Sequence, residues 1–405
     1  MLRRSMAVVY LHVAAALCGV ASASRALAET NEIDAVTLGA LSETAGAVVV
    51  ATVTDAATVA GNESPVWSLR VDEAILGATK DAVLRVRVAP GRAPVAKGGR
   101  FLAFLRPEGD GAWTPLALPW SLRATAEDGT AELIAYVRGY VACLGADRRI
   151  ARPEELAAFL VASLASDAGG VPFCAGRDLV RHADELRAAV TADQRDRVTA
   201  ALAKPRKPDQ DLVSIVLASG PFGGTGADDA LIARLLDPRT RPLRRHIVRS
   251  MAVRASAGLT AKLAARVSGA DPAQRADIAN AIGRLDQPEA ATTLLALLRD
   301  DVPAVRVESA HGLGLRARAI REPQPDVDPD APRPKLRTAL APLLAAVAAG
   351  TTENELRATK WALGQIDVPE AWEALRGLTT GSPDLRVREL AQRVLDRPRS
   401  ALLLE

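Results

Sequence analysis

The chain has 405 residues, 49% hydrophobic and 24% charged, with 51 Lys+Arg against 48 Asp+Glu and a formal charge of +3. Setting aside residues 1–28 removes Arg3, Arg4 and Arg25 but no acid, leaving 48 bases against 48 acids, so the balance excludes a protein built to neutralise nucleic-acid phosphates. Beyond that leader no stretch approaches the roughly 20 apolar residues needed to cross a bilayer as a helix.

The first 28 residues have the pattern of a cleaved export signal. Arg3 and Arg4 form a positive start, Ala7 to Val20 is apolar, and Ala26-Leu27-Ala28 supplies the small-x-small cleavage site. Cys18 follows Leu17, where a lipoprotein signal wants a small residue. The expected compartment is periplasmic or extracellular. There the two remaining cysteines, Cys143 and Cys174, become candidates for a disulfide closing a loop of about 30 residues, set against two buried thiols.

From about residue 45 the pattern is that of short strands. Val48 to Val53 is a continuous apolar run. Trp67, Leu69 and Val71 alternate with polar residues, as do Leu84, Val86 and Val88. Phe101 to Leu105 and Trp113 to Leu118 complete five candidates. Gly61-Asn62, Pro90-Gly91, Gly98-Gly99 and Gly109-Asp110-Gly111 supply turns between them. Five short strands at this spacing predict a small barrel or sandwich over 29–147. After about residue 150 the period becomes helical. Pro153-Glu154-Glu155 opens a helix through Leu164, and further helices are expected over 178–190, 194–202, 211–218 and 228–236. The stretch 148–240 is read as a helical connector or the degenerate start of a repeat array.

Self-comparison then shows that array over 241–396, followed by a tail at 397–405. Five segments align on an arginine: Pro242 to Arg245, Pro272 to Arg275, Pro303 to Arg306, Asn354 to Arg357 and Pro383 to Arg386. Each leads into a small-residue helix, and three of these reach a glycine at a similar offset, Gly283, Gly314 and Gly364. Glycine there suits a helix end or a close helix approach. One interval is longer by a proline-rich insertion at 316–335.

These phased segments resemble HEAT-like repeats of the short bacterial, phycobilin-lyase type, which implies a right-handed α-α superhelix. The strand segments Val48 to Val53, Val66 to Gly77 (VWSLRVDEAILG) and Gly98 to Leu105 (GGRFLAFL) are similar to an exported bacterial module. That module is related to the OB-like barrel of the netrin and tissue-inhibitor-of-metalloproteinase group. The inhibitory amine of that group belongs to an N-terminal cysteine, and a chain beginning at Glu29 has no cysteine before Cys143. The expected fold class is therefore multidomain, an OB-like β-barrel followed by a HEAT-like solenoid.

Candidate sites are few. Arg241, Arg244, Arg245, Arg249 and Arg254 form the one locally basic run, able to dock an acidic partner or to serve as a solvated helix face. The recurrent repeat arginines are read as an internal ladder, because Asp271, Asp300, Asp301, Glu353 and Asp384 lie close before them. Gly220 to Gly226 has a phosphate-loop look but follows a helix and lacks the terminal Lys-Ser/Thr. Trp361 and Trp372 are read as packing residues. No catalytic residue, metal ligand or cofactor is assigned: His182, His246 and His311 lack ligand spacing, and no Gly-x-Ser-x-Gly occurs. The reading is of a non-enzymatic scaffold whose solenoid surface holds a protein or peptide. The alternatives are a phycobilin-lyase-like enzyme or maturation factor and protease-inhibitor-like binding through the barrel.

Overall fold

The computed structural model describes residues 37–57, 65–88, 97–116, 122–126, 129–285, 287, 289–321, 352–366, 369–381 and 385–396. The segment expected to be an export signal, most of the proline-rich insertion and the tail lie outside these. The chain divides between Arg152 and Pro153 into two compact units. The helices of the expected connector belong to the same unit as the repeats.

The first unit holds a five-stranded barrel. Helix α1 (Leu38–Thr44) precedes β1 (Ala47–Ala57), β2 (Val66–Leu76), β3 (Val83–Arg87), β4 (Arg100–Pro107) and β5 (Trp113–Pro115). The strands close on themselves in the order β1-β2-β3-β5-β4-β1, antiparallel except for β3 beside β5. A short β6 (Leu122–Ala124) adds to β4, and α2 (Thr130–Ala142) follows.

Strand parity explains the core. Ala47, Val49, Ala51 and Val53 face inward with Trp67, Leu69, Val71, Leu84, Val86, Ala103 and Leu105. Val48 and Val50, of opposite parity, lie across from Phe104 and Leu102 and are equally buried. An element buried on both faces needs an unbroken apolar run rather than alternation, which is the pattern of Val48 to Val53. Helix α2 packs on α1 and β2, burying Leu133, Val137 and Tyr140. Three register shifts between β1 and β2 give the bending that closure requires. Gly77 ends β2 at φ +66, and a Cβ there would overlap the carbonyl oxygen of Gly46.

The second unit is helical among its described residues: α3 (Pro153–Leu164), α4 (Val171–Arg181), α5 (Ala183–Leu186), α6 (Ala192–Ala203), α7 (Gln210–Phe222), α8 (Ala227–Leu236), α9 (Arg244–Arg254), α10 (Leu259–Ala264), α11 (Pro272–Gly283), α12 (Glu289–Leu297), α13 (Pro303–Arg321), α14 (Glu353–Ile366), α15 (Pro369–Gly381) and α16 (Leu385–Leu395). Contacts run from neighbour to neighbour. One series passes α4, α7, α9, α11, α13, α14 and α16, and the remaining helices pack beside it: α6 on α7, α8 on α9, α12 on α11 and α13, α15 on α16.

Two expectations require correction here. The expected helix over 178–190 begins earlier, at Val171, and breaks at His182. Its start is set by Asp211, whose carboxylate accepts the N–H groups of Gly170 and Phe173 at 3.2 and 3.1 Å. Gly314 and Gly364 do not end their helices, since α13 and α14 continue to Arg321 and Ile366. Gly283 and Gly314 serve close approach, the other role open to them. Gly283 and Gly312 meet between α11 and α13, and Gly314 lies against Trp361 of α14.

The repeat arginines bond within the unit, more broadly than an acid ladder. Arg275 binds Asp300 at 2.8 Å and Asp301 at 3.0 Å, and Arg306 binds Glu355 at 2.6 Å. Arg306 also donates to the carbonyls of Asp300 and Asp301. The same device recurs upstream: Arg206 donates to the carbonyls of Leu164 and Ser166, and Arg234 to those of Leu202 and Lys204. These are carbonyls at or just past helix C-termini, which have no partner inside their own helix. Asp271 instead caps α11 through a box with Gln274.

Candidate binding site

The basic run divides once folded. Arg244, Arg245 and Arg249 of α9 line an open hollow of about 710 Å³, together with Arg284 at the end of α11 and Arg316 on α13. Arg245 and Arg249 are one helical turn apart and so share a face. Ala252, Asn280, Gly283, Leu285 and Leu315 complete the lining. Arg241, in the 3-10 turn Pro238–Leu243, is exposed and outside the lining.

Arg254 does not belong to this surface. Its guanidinium binds Asp228 and donates to the carbonyls of Gly223 and Gly224 at 2.7 and 3.0 Å. It thereby pins the glycine-rich loop after α7. That loop's own N–H groups are also occupied: Gly224 donates to Arg195 O and Thr199 Oγ1, and Thr225 to Asp196 Oδ1. A phosphate cradle needs those N–H groups turned outward.

Within the hollow the arginines have different duties. Arg244 is paired with the buried Asp277 of α11. Burial pushes the Asp277 carboxyl above the usual carboxylate range, and the Arg244 hydrogen bond and charge pull it part of the way back. Arg316 donates to Leu285 O, just past the end of α11. Arg249 and Arg284 are exposed, and neither makes an ion pair among the described residues. Asn280 donates to Glu308 at 2.7 Å. Glu308 also acts on His311, whose pKa is held below the ordinary value by burial, with Glu308 opposing and Arg284 reinforcing the shift. The lining of the hollow thus holds five guanidiniums and no carboxylate, one of the five being paired with Asp277 behind it.

The other candidates take structural places. Trp361 meets His311 edge-on at 5.7 Å, and Trp372 is buried. Cys143 closes α2 with its Sγ 3.4 Å from Gly139 O, and Cys174 is buried in α4 of the other unit. Among the described residues the structure contains no disulfide. Among them also, no group of three or more His, Cys, Asp or Glu is placed to hold a metal ion, and no helix is long and apolar enough to cross a membrane.

Arg284 and Arg316 were not singled out from sequence as site residues. A signal for them exists in the repeat phase: Arg284 follows Arg275 by nine residues and Arg316 follows Arg306 by ten. Compared with known proteins, the chain matches no family model and no curated protein.

Proposed function

We propose that the chain is an exported, non-enzymatic scaffold that holds a protein or peptide partner on the surface of HEAT-like helical repeats. The observation that carries this reading is the arginine-lined hollow, set where three successive members of one packing series, α9, α11 and α13, meet. Neighbour-to-neighbour packing of helix pairs, with small residues and arginines repeated in phase, supports the solenoid interpretation; such arrays present long continuous surfaces to partners. The closure order of the barrel, with β3 parallel to β5, fits the OB-like reading of the first unit. The leader at residues 1–28 supports export.

The test is affinity capture with the mature chain from a periplasmic extract, followed by crosslinking and mass spectrometry. A protein retained through crosslinks to residues 241–321 is the expected result. No retained protein would sink the reading. Crosslinks confined to residues 37–126 would move binding to the barrel and favour the inhibitor-like alternative.

A further inference from the structure

We propose that the hollow between α9, α11 and α13 is a pocket for an acidic peptide segment, gripped by Arg249 and Arg284. This inference rests on the scaffold reading and names the chemistry of the partner.

Arg244 is bound to Asp277, and Arg316 serves the carbonyl of Leu285. The latter contact supplies a donor just past the C-terminus of α11. Arg249 and Arg284 are exposed, with no ion pair among the described residues, and line a concavity that also holds Arg244, Arg245 and Arg316. Like charges gathered in a concave surface reinforce one another's potential toward solvent, and an incoming anion gains from all of them.

Guanidinium forks match carboxylate geometry, which allows paired N–H···O bonds. Size and lining favour a peptide over a lone oxyanion. A hollow of about 710 Å³ lies within the roughly 300–1,000 Å³ range of sites that enclose an organic ligand. The cations come from three helices, so they are distributed around the space rather than focused on one point. Leu285, Leu315 and Ala252 give it apolar surface, suited to the methylene stems of glutamates and to a peptide backbone.

The experiment measures fluorescence anisotropy of a fluorescein-labelled glutamate-rich peptide with the full mature chain. The comparison peptide has glutamine at every glutamate, and unlabelled tripolyphosphate is titrated separately as a competitor and as a ligand. The Arg249→Glu/Arg284→Glu variant should weaken glutamate-peptide binding by about tenfold or more, the scale of loss when charged contacts at an interface are removed. Arg266→Glu/Arg299→Glu changes two exposed arginines outside the hollow by the same net charge and should leave binding within about twofold. Thermal melts of both variants check that they fold, and Arg249→Ala/Arg284→Ala repeats the test without reversing charge.

Equal loss in the two reversal variants would reduce the effect to net charge and overturn the proposal. So would equal binding of the glutamine peptide, or binding of tripolyphosphate with none of the glutamate peptide. Failure of peptide binding beside successful capture of a partner on 241–321 overturns this inference alone. Specific peptide binding with no captured protein removes the scaffold reading and leaves the pocket standing.

Discussion

Arg306 joins two helices that are separated in sequence by the proline-rich insertion. Its guanidinium meets Glu355, a carboxylate only 4% exposed, and it also donates to two carbonyls ahead of α13. Removing it takes a guanidinium away from a carboxylate held in low dielectric, to which the Thr352 N–H and hydroxyl also donate. Arg306→Met is expected to cost about 3 kcal/mol, the lower end for a buried pair broken on one side, read from the midpoint of urea unfolding. A shift below about 0.5 kcal/mol would place this contact with ordinary surface ion pairs. His311 carries the second prediction at this scale. Its folded pKa lies below the ordinary histidine value of about 6.5, so the unfolded chain takes up the proton first as pH falls. The stability from His311 is fully present above that value and is lost as pH drops toward the folded pKa. His311→Phe keeps a ring against Trp361 without titrating. Its melting temperature should fall less than that of the parent chain between about pH 7.5 and pH 5; parallel slopes would assign the acid sensitivity to other groups.

At the scale of elements, the joint between α11 and α13 is backbone against backbone. A Cβ on Gly283 would overlap Cα of Gly312, and a Cβ on Gly312 would come within 2.9 Å of Cα of Gly283. Either glycine changed to alanine must push the helices apart, at a cost of about 1–3 kcal/mol. The double variant should cost less than the sum, because both substitutions act on one contact. Gly377, inside α15 with open space beyond it, is the control, and Gly377→Ala is expected to stabilise by about 0.5–1 kcal/mol through helix propensity. Melting curves for the four proteins decide it. A harmless Gly283→Ala would show that the helices can separate without penalty.

The elements also differ in how plainly their residues announce them. The five strands of the barrel were legible from apolar alternation or unbroken apolar runs, α3 from helical period with proline and acids at its start, and α6, α7 and α8 from helical period. Helix α2 was not. Its apolar positions Leu133, Ile134, Val137 and Tyr140 do follow a helical period, but Tyr136, Val137, Gly139, Tyr140 and Val141 are residues that helices do not favour strongly. The start of α4 was hidden for another reason, since it is capped by Asp211 some 40 residues later. The site was half legible. Local charge density marked Arg244, Arg245 and Arg249, whereas Arg254 lies in the same run and is used internally. Arg284 and Arg316 reach the hollow only because successive helices stack. A linear run of basic residues carries no information about the face each side chain takes.

For the whole molecule, neighbour-to-neighbour contacts in the helical unit bear on how it opens. Where each segment touches only the segments beside it, stability is close to a sum of local terms and of the joints between them. Native-state hydrogen exchange across residues 153–396 should therefore show graded protection. Helices α15 and α16, with partners on one side in the described series, should open at lower free energy than α7 or α11. Uniform protection along the unit would instead indicate one all-or-none core.

The arginines that donate to backbone carbonyls, Arg206, Arg234, Arg254 and Arg306, have a further effect on how such a chain can change over time. A carbonyl is present whatever side chain stands beside it. A joint made in this way asks nothing of the neighbouring segment's identity beyond its helical ending. Segments can drift in sequence while the fastening that holds them in order stays the same.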